Sequence, residues 1–319
     1  MNKNSRIYIA GHAGLIGSAM LRRLQVQNYH NLLTASHADL DLTDKSAVER
    51  FFAKNRPDFV VLAAGKVGGI VDNVNYPADF MEVNLSIQLN VLRAARENGV
   101  KRLIFFGSSC MYPRECVQPM TEAALFSGRP EPTSMAYAIS KIAGLQMCLA
   151  YNQQDGERRF LPVIPNSAFG PNDNFGPSGH VLSALIRRFH EAKVSGAQEV
   201  TLWGSGNPRR EFVHVDDIAD ACVALLTGAL EEVEFPINLG TGVDYSIQEL
   251  AEEIKEVVGY KGDIFWDISK PDGAPRKLLD SARLRSYGWS PKVQFREGLK
   301  HTYKWFLENA TDYREDLND

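Results

Sequence analysis

Apolar residues in this chain fall into two alternating patterns. Short continuous runs lie at residues 6–10 (RIYIA), 31–35, 59–63 (FVVLA), 102–106 (RLIFF) and 160–164 (FLPVI). Glycine, proline or asparagine bounds most of them, and their length suits buried strands. Between them, apolar residues recur three and four apart after Gly14 through Leu24, and over residues 44–54, 84–98 and 136–151. That spacing predicts amphipathic helices. Alternating strands and helices predict an α/β fold with a doubly wound parallel sheet. Composition shifts at PNSAFGPNDNFGPSGHV, which places a domain boundary near residue 165. Beyond it come a basic helix (LIRRFHEAK), a strand ending at Trp203, and GSGNPRREFVHVDDIADA, read as loop, strand and helix. This last stretch and PINLGTG form a segment of about 211–242 returning to the first domain. The rest of 166–319 forms a smaller α/β domain.

Composition narrows the partners. The 319 residues are 44% apolar and 23% charged, with net charge −4. No run of Lys and Arg exceeds two residues, which argues against nucleic acid and anionic membranes as partners. No apolar run approaches the roughly 18 residues of a membrane span, and no signal-peptide pattern opens the chain. Four sparse cysteines without zinc-ligand spacing suggest free thiols in a reducing, cytoplasmic setting.

Chemistry concentrates in two stretches. The first strand feeds Gly11-His12-Ala13-Gly14-Leu15-Ile16-Gly17 and then a helix. A glycine turn opening a helix offers free backbone N–H groups to a pyrophosphate, the mark of a Rossmann dinucleotide site. The second strand ends at Ser36 and His37, where the adenosine ribose is expected. Asp41 either reaches the adenine or caps the next helix. Lys66, after the third strand, reads as a solvated charge. In the second stretch, the strand at 102–106 delivers Gly107, Ser108, Ser109 and Cys110, and the next helix carries Tyr137 and Lys141. The i,i+4 spacing puts Tyr137 and Lys141 on one helix face. A phenol titrates at about 10, and an adjacent ammonium lowers that value. With the Ser108 hydroxyl, the pair makes a proton donor for a carbonyl oxygen attacked by hydride.

With AGHxGxxGS, AAGKVGGIVDN, NYPADF, GSSCMYP, YAISKIAG, GPNDNFGPSGHV, WGSGNPRREFVHVDD and KPDGAPRKLLD in hand, the chain resembles the GDP-L-fucose synthase family over nearly its whole length. These are 3,5-epimerase/4-reductases of the extended short-chain dehydrogenase class. The resemblance implies a GDP-4-keto-6-deoxymannose substrate and a homodimer formed by the helices at 84–98 and 136–151. It adds Cys110 and His180 as the acid–base pair for inversion at C3 and C5. It implies Leu42, Pro165, Ser167 and His180 as cofactor contacts beside the glycine turn, His37 and Asp41. Arg188 and Arg210 become phosphate clamps, and Trp203 and Asp272 contacts for the nucleotide. Ala13 and His37 stand where the family carries arginines for a 2′-phosphate, so NADH enters beside NADPH. NSAFGP replaces the family's TNLYGP, which keeps a related GDP-4-keto heptose or 3,6-dideoxyhexose as the alternative substrate.

Overall fold

A computed structural model of the chain describes residues 1–176, 179–229, 233–270 and 272–309. Its strands are β1 (Ile7–Ala10), β2 (Leu32–Leu33), β3 (Phe59–Leu62), β4 (Arg102–Phe106), β5 (Phe160–Pro165), β6 (Ser167–Phe169), β7 (Glu199–Trp203), β8 (Arg209–His214), β9 (Ile237–Leu239), β10 (Asp244–Ser246), β11 (Asp263–Asp267) and β12 (Arg276–Lys277). Its helices are α1 (Leu15–Val26), α2 (Lys45–Asn55), α3 (Ile70–Asn75), α4 (Pro77–Glu97), α5 (Met135–Asp155), α6 (Val181–Ser195), α7 (Val215–Thr227), α8 (Ile247–Val258), α9 (Ala282–Ser286) and α10 (Phe295–Asn309).

Six strands form an all-parallel sheet in the order β2-β1-β3-β4-β5-β9. Every residue of β1, β3 and β5 is buried, as a sheet covered on both faces requires. Met20 and Leu24 of α1 and Ile218 and Leu225 of α7 cover one face against Ile7, Ile9 and Val61. On the other face, Phe52, Val91, Leu145 and Cys148 of α2, α4 and α5 meet Tyr8, Val60 and Phe105. This is the predicted doubly wound, Rossmann-type architecture. A third core, with Phe189, Val200, Phe212, Leu250 and Phe306, joins α6, α8 and α10 to β7 and β8. The returning α7 and β9 complete the first layer system, and Leu284 and Trp289 near the end of the chain also enter its core.

Several local expectations change. β2 keeps two residues of the expected five, because this edge strand pairs only through Leu32 and Leu33. α4 starts at Pro77, seven residues before the expected helix. This opening stretch is itself packed through the buried Phe80, and proline in a first helical turn sacrifices no hydrogen bond. α3 went unrecognised because Ile70, Val71 and Val74 are exposed, leaving no buried stripe to detect. Asp44, not Asp41, caps α2 by accepting the Ala47 N–H at 3.0 Å.

His214 marks the β8–α7 junction. Its Nδ1 accepts the Asp216 N–H at 3.3 Å, and the ring lies buried near His301, Asp216 and Arg22. Burial pushes its pKa down to about 4. An unfolded imidazole titrates at about 6.5, so on acidification the unfolded chain takes this proton first. The stability contribution is therefore complete above about pH 6.5 and is lost progressively toward pH 4. Urea midpoints between pH 7 and 4.5 should fall more steeply for the parent than for His214→Asn, which keeps a capping acceptor but cannot titrate. Parallel slopes would refute this assignment.

Candidate active site

The carboxyl ends of the central strands open onto a cavity of about 2060 Å³. It lies where the neighbours of β1 diverge, the position at which doubly wound sheets bind ligands. Gly11 turns the chain at φ +80°, and a Cβ there would stand 2.7 Å from the Ala64 nitrogen. α1 then begins with Gly14 as its cap and no side chain over its first N–H groups. Gly11, His12, Ala13, Gly14, Leu15 and Ile16 line the cavity. Gly17 lies beneath them, where a Cβ would come 2.0 Å from the Gly11 carbonyl oxygen. Its place is close packing of helix on turn. Bare N–H groups in a cradle that a side chain would fill suit a dinucleotide pyrophosphate.

Ser36, His37, Asp41 and Leu42 line the next part of the wall. Asp41 accepts the Thr43 N–H at 2.8 Å and its hydroxyl at 2.7 Å. Those bonds, with His37 nearby, hold the carboxyl below its ordinary value. Lys66 pairs with Asp79 at 3.0 Å on the surface. Asn84, which the sequence reading passed over, is buried and braces the loop after β3. It accepts the Lys66 N–H and donates to the carbonyls of Lys66 and Phe80.

At the other end, β4 brings Ser108 and Cys110 to Tyr137 and Lys141 of α5. The Ser108 side chain accepts the Cys110 N–H at 3.2 Å and shares a hydrogen bond with the Tyr137 phenol. Lys141 is buried and donates to the Phe106 carbonyl at 3.1 Å. Its Nζ lies 5.9 Å from the Tyr137 ring centre. The expected depression of the phenol is corrected here. Burial, reinforced by the nearby Cys110, raises the Tyr137 pKa, and the Ser108 bond offsets it only in part. Burial also pushes Lys141 down to about 8. Desolvation penalises both charged forms, and the carbonyl rather than the phenol takes the ammonium.

His180, at the start of α6, is exposed to this cavity, yet close protein walls hold its imidazole below the ordinary value. Lys277 is the main residue the sequence reading missed. Its Nζ lies 3.8 Å from the Cys110 Sγ, across 167 positions of sequence. The KPDGAPRKLLD block contains it, but no local spacing singles it out.

The nucleotide contacts divide. Trp203, 65% exposed, lines the cavity with Arg210 and Asp272. Arg210 donates to the Arg209 and Ala274 carbonyls, and Asp272 accepts from the Ser205 N–H and hydroxyl. Arg188 is exposed outside the lining, 3.4 Å from the Thr201 carbonyl. Pro165 and Ser167 line the wall. Of the altered NSAFGP loop, Phe169 is buried against Phe212, His214 and Phe295. The Asn166 amide donates to Glu211.

Residues 7–240 match the NAD dependent epimerase/dehydratase family. The chain is 54% identical to GDP-L-fucose synthase 1 of Arabidopsis thaliana over 312 residues, covering 97% of this chain and 95% of that protein. It is 50% identical to GDP-L-fucose synthase of Escherichia coli over 317 residues, covering 97% and 98%. The solved structure of a GDP-mannoheptose C4 reductase from Campylobacter jejuni with NADP bound superposes with TM-score 0.88. It is 37% identical and covers 96% of this chain and 99% of that one.

The packing of Gly17 gives a direct expectation. Gly17→Ala forces α1 away from the turn and should weaken reduced dinucleotide binding at least ~10-fold, read by fluorescence titration. Unchanged affinity in the folded variant would contradict the cradle.

Proposed function

Because the chain belongs to the NAD dependent epimerase/dehydratase family, and its relatives include GDP-L-fucose synthases aligned over nearly its whole length, we propose that it converts GDP-4-keto-6-deoxy-D-mannose to GDP-L-fucose. It inverts C3 and C5 and reduces the C4 ketone. The observation that carries this reading is the convergence of Ser108, Cys110, Tyr137, Lys141, His180 and Lys277 on one cavity.

The C4 carbonyl acidifies the hydrogens on C3 and C5, since the resulting carbanion delocalises onto oxygen. Cys110 takes the proton, its sulfur lying 3.8 Å from the Lys277 ammonium. His180 returns a proton on the opposite face. Its lowered pKa makes the imidazolium a stronger acid toward an enolate. Ser108 and Tyr137 hold the ketone oxygen throughout. A dinucleotide held at the glycine turn would supply hydride to C4, and the Tyr137 phenol donates its proton to the oxygen that carries the resulting charge. A raised phenol pKa serves this step by keeping the proton in place beforehand.

The cofactor is NADPH, with NADH also accepted. His12, Ala13, Ser36 and His37 line the adenosine end, and neither lysine nor arginine appears among the described lining residues from 8 to 43. Arg210, Trp203 and Asp272 receive the GDP group, with Arg188 at its margin. Residues 1–165 with the 211–242 return serve the dinucleotide, and the remainder of 166–319 serves GDP. Two copies pair through α4 and α5, whose outer faces expose Leu85, Leu89 and Ile139. Free cysteines suit a cytoplasmic setting. A related GDP-4-keto sugar, heptose or 3,6-dideoxyhexose, is the second reading, favoured by the fold shared with the heptose reductase. The inward burial of Phe169 counts against it, because this substitution does not face the sugar.

Mass analysis of products formed in deuterium oxide tests the reaction. The parent should incorporate deuterium at both C3 and C5 and take up one hydride. Tyr137→Phe should lose reduction ~10²–10⁴-fold while retaining exchange, and Cys110→Ser should lose exchange. Reduction by Tyr137→Phe at the parental rate would remove the phenol from its role. Separately, arginine at positions 13 and 37 should tighten NADPH binding about 10-fold without affecting NADH, read as dissociation constants. Equal changes for both cofactors would place the 2′-phosphate elsewhere.

A further inference from the structure

Behind the cavity wall, outside its lining, lies the fully buried carboxylate of Glu211 on β8. It accepts the Asn166 side-chain amide at 2.5 Å, the Leu279 N–H at 2.9 Å, the Gly242 N–H at 2.6 Å and the Thr241 hydroxyl at 3.3 Å. The four donors come from three segments: the end of β5, the turn after β9, and the strand-like strap after β12. The packing leaves no spare room, since a Cβ on Gly240 would stand 2.5 Å from the Glu211 Oε1. Burial raises the Glu211 pKa in spite of these donors.

Two of these bonds converge on Lys277. Leu279, held directly by Glu211, lies two residues beyond it on the strap. The Asn166 amide that reaches Glu211 also donates to the Lys277 carbonyl, at 3.3 Å. On its outer side the strap pairs with Met120, which accepts the Asp280 N–H and donates to the Leu278 carbonyl. The ammonium at the end of the Lys277 side chain is the group beside the Cys110 sulfur.

We propose that Glu211 is a positioning residue for the carbon-acid step, fixing the strap so that the Lys277 ammonium stays against the Cys110 sulfur. The inference rests on the reading of Cys110 as the base. A carboxylate is required because it accepts from all sides. The amide of a glutamine would offer one acceptor oxygen and turn an NH₂ group toward donors.

Site-resolved alkylation of Cys110 by iodoacetamide, measured across pH by mass spectrometry, reads the thiolate without turnover. Lys277→Met should move the profile to higher pH and slow alkylation at neutral pH about 10-fold. Glu211→Gln should give the same shift, and the double variant no more than either single one. Deuterium exchange at C3 and C5 should fall in step, while the dissociation constant for NADPH stays at the parental value. Asn166→Ser, which removes the amide bonds to Glu211 and to the Lys277 carbonyl but leaves Glu211 its Leu279, Gly242 and Thr241 donors, should shift the profile less in the same direction. It carries the test even if Glu211→Gln does not fold, and no shift in it would overturn the proposal. Parental alkylation by Glu211→Gln would overturn it, as would further slowing on the Lys277→Met background. If Lys277→Met changes neither alkylation nor exchange, the thiol–ammonium reading itself fails and takes the proposal with it.

Discussion

The site depends on one buried contact, the ammonium of Lys141 against the carbonyl of Phe106. That bond ties α5 to the end of β4, so the strand that delivers Ser108 and Cys110 and the helix that carries Tyr137 cannot move independently. An ammonium this deeply buried is costly unless partnered. Its pKa, pushed down to about 8, measures what desolvation takes back even with the carbonyl in place. The same dry environment raises the phenol. Burial therefore sets the resting protonation of both groups more strongly than their proximity does. Desolvation favours the uncharged form of each group.

The thiol side works by a different balance. Cys110 is half-buried, and the ammonium 3.8 Å from its sulfur comes from Lys277, 167 positions along the chain. The two lysines thus have different settings: Lys141 donates to backbone inside the fold, whereas Lys277 ends β12, pairs with Arg210 of β8 and offers its carbonyl to Asn166. Ser108, Tyr137 and Lys141 stand on the first sheet and its helix, while Cys110 meets a side chain brought from β12.

That division explains what was legible in the sequence. The parallel sheet, the glycine turn and the Ser108–Tyr137–Lys141 set were readable because each rests on local periodicity or on spacing within one strand and helix. α3 and the start of α4 were not, since the first exposes its apolar residues and the second opens on a proline with Phe80 as its one buried apolar residue before Asn84. Asn84 sat unnoticed inside a helical pattern, although its bonds go to the loop after β3. Lys277 and Glu211 lie in KPDGAPRKLLD and WGSGNPRREFVHVDD, but their meaning comes from contacts 167 and 45 positions away. The raised phenol is illegible in the sequence for a related reason. Spacing reveals the neighbour, while only the packed structure reveals the solvent that has been excluded.

The altered NSAFGP loop shows how such contacts change the weight of a substitution. Read along the chain, Asn166, Ser167 and Phe169 are three changes beside a substrate. In the fold they part company. Phe169 fills an aromatic cluster with Phe212 and Phe295, whereas Asn166 and Ser167 both line the cavity, the Asn166 amide also donating to Glu211 behind it. A change that points into a core alters support, and only one that points into the cavity alters what the sugar meets. Asn166 occupies a middle case, since its amide braces the strap that carries Lys277. Asn166 also lines the cavity, so a change there alters both the support of Lys277 and the wall that a bound sugar would meet.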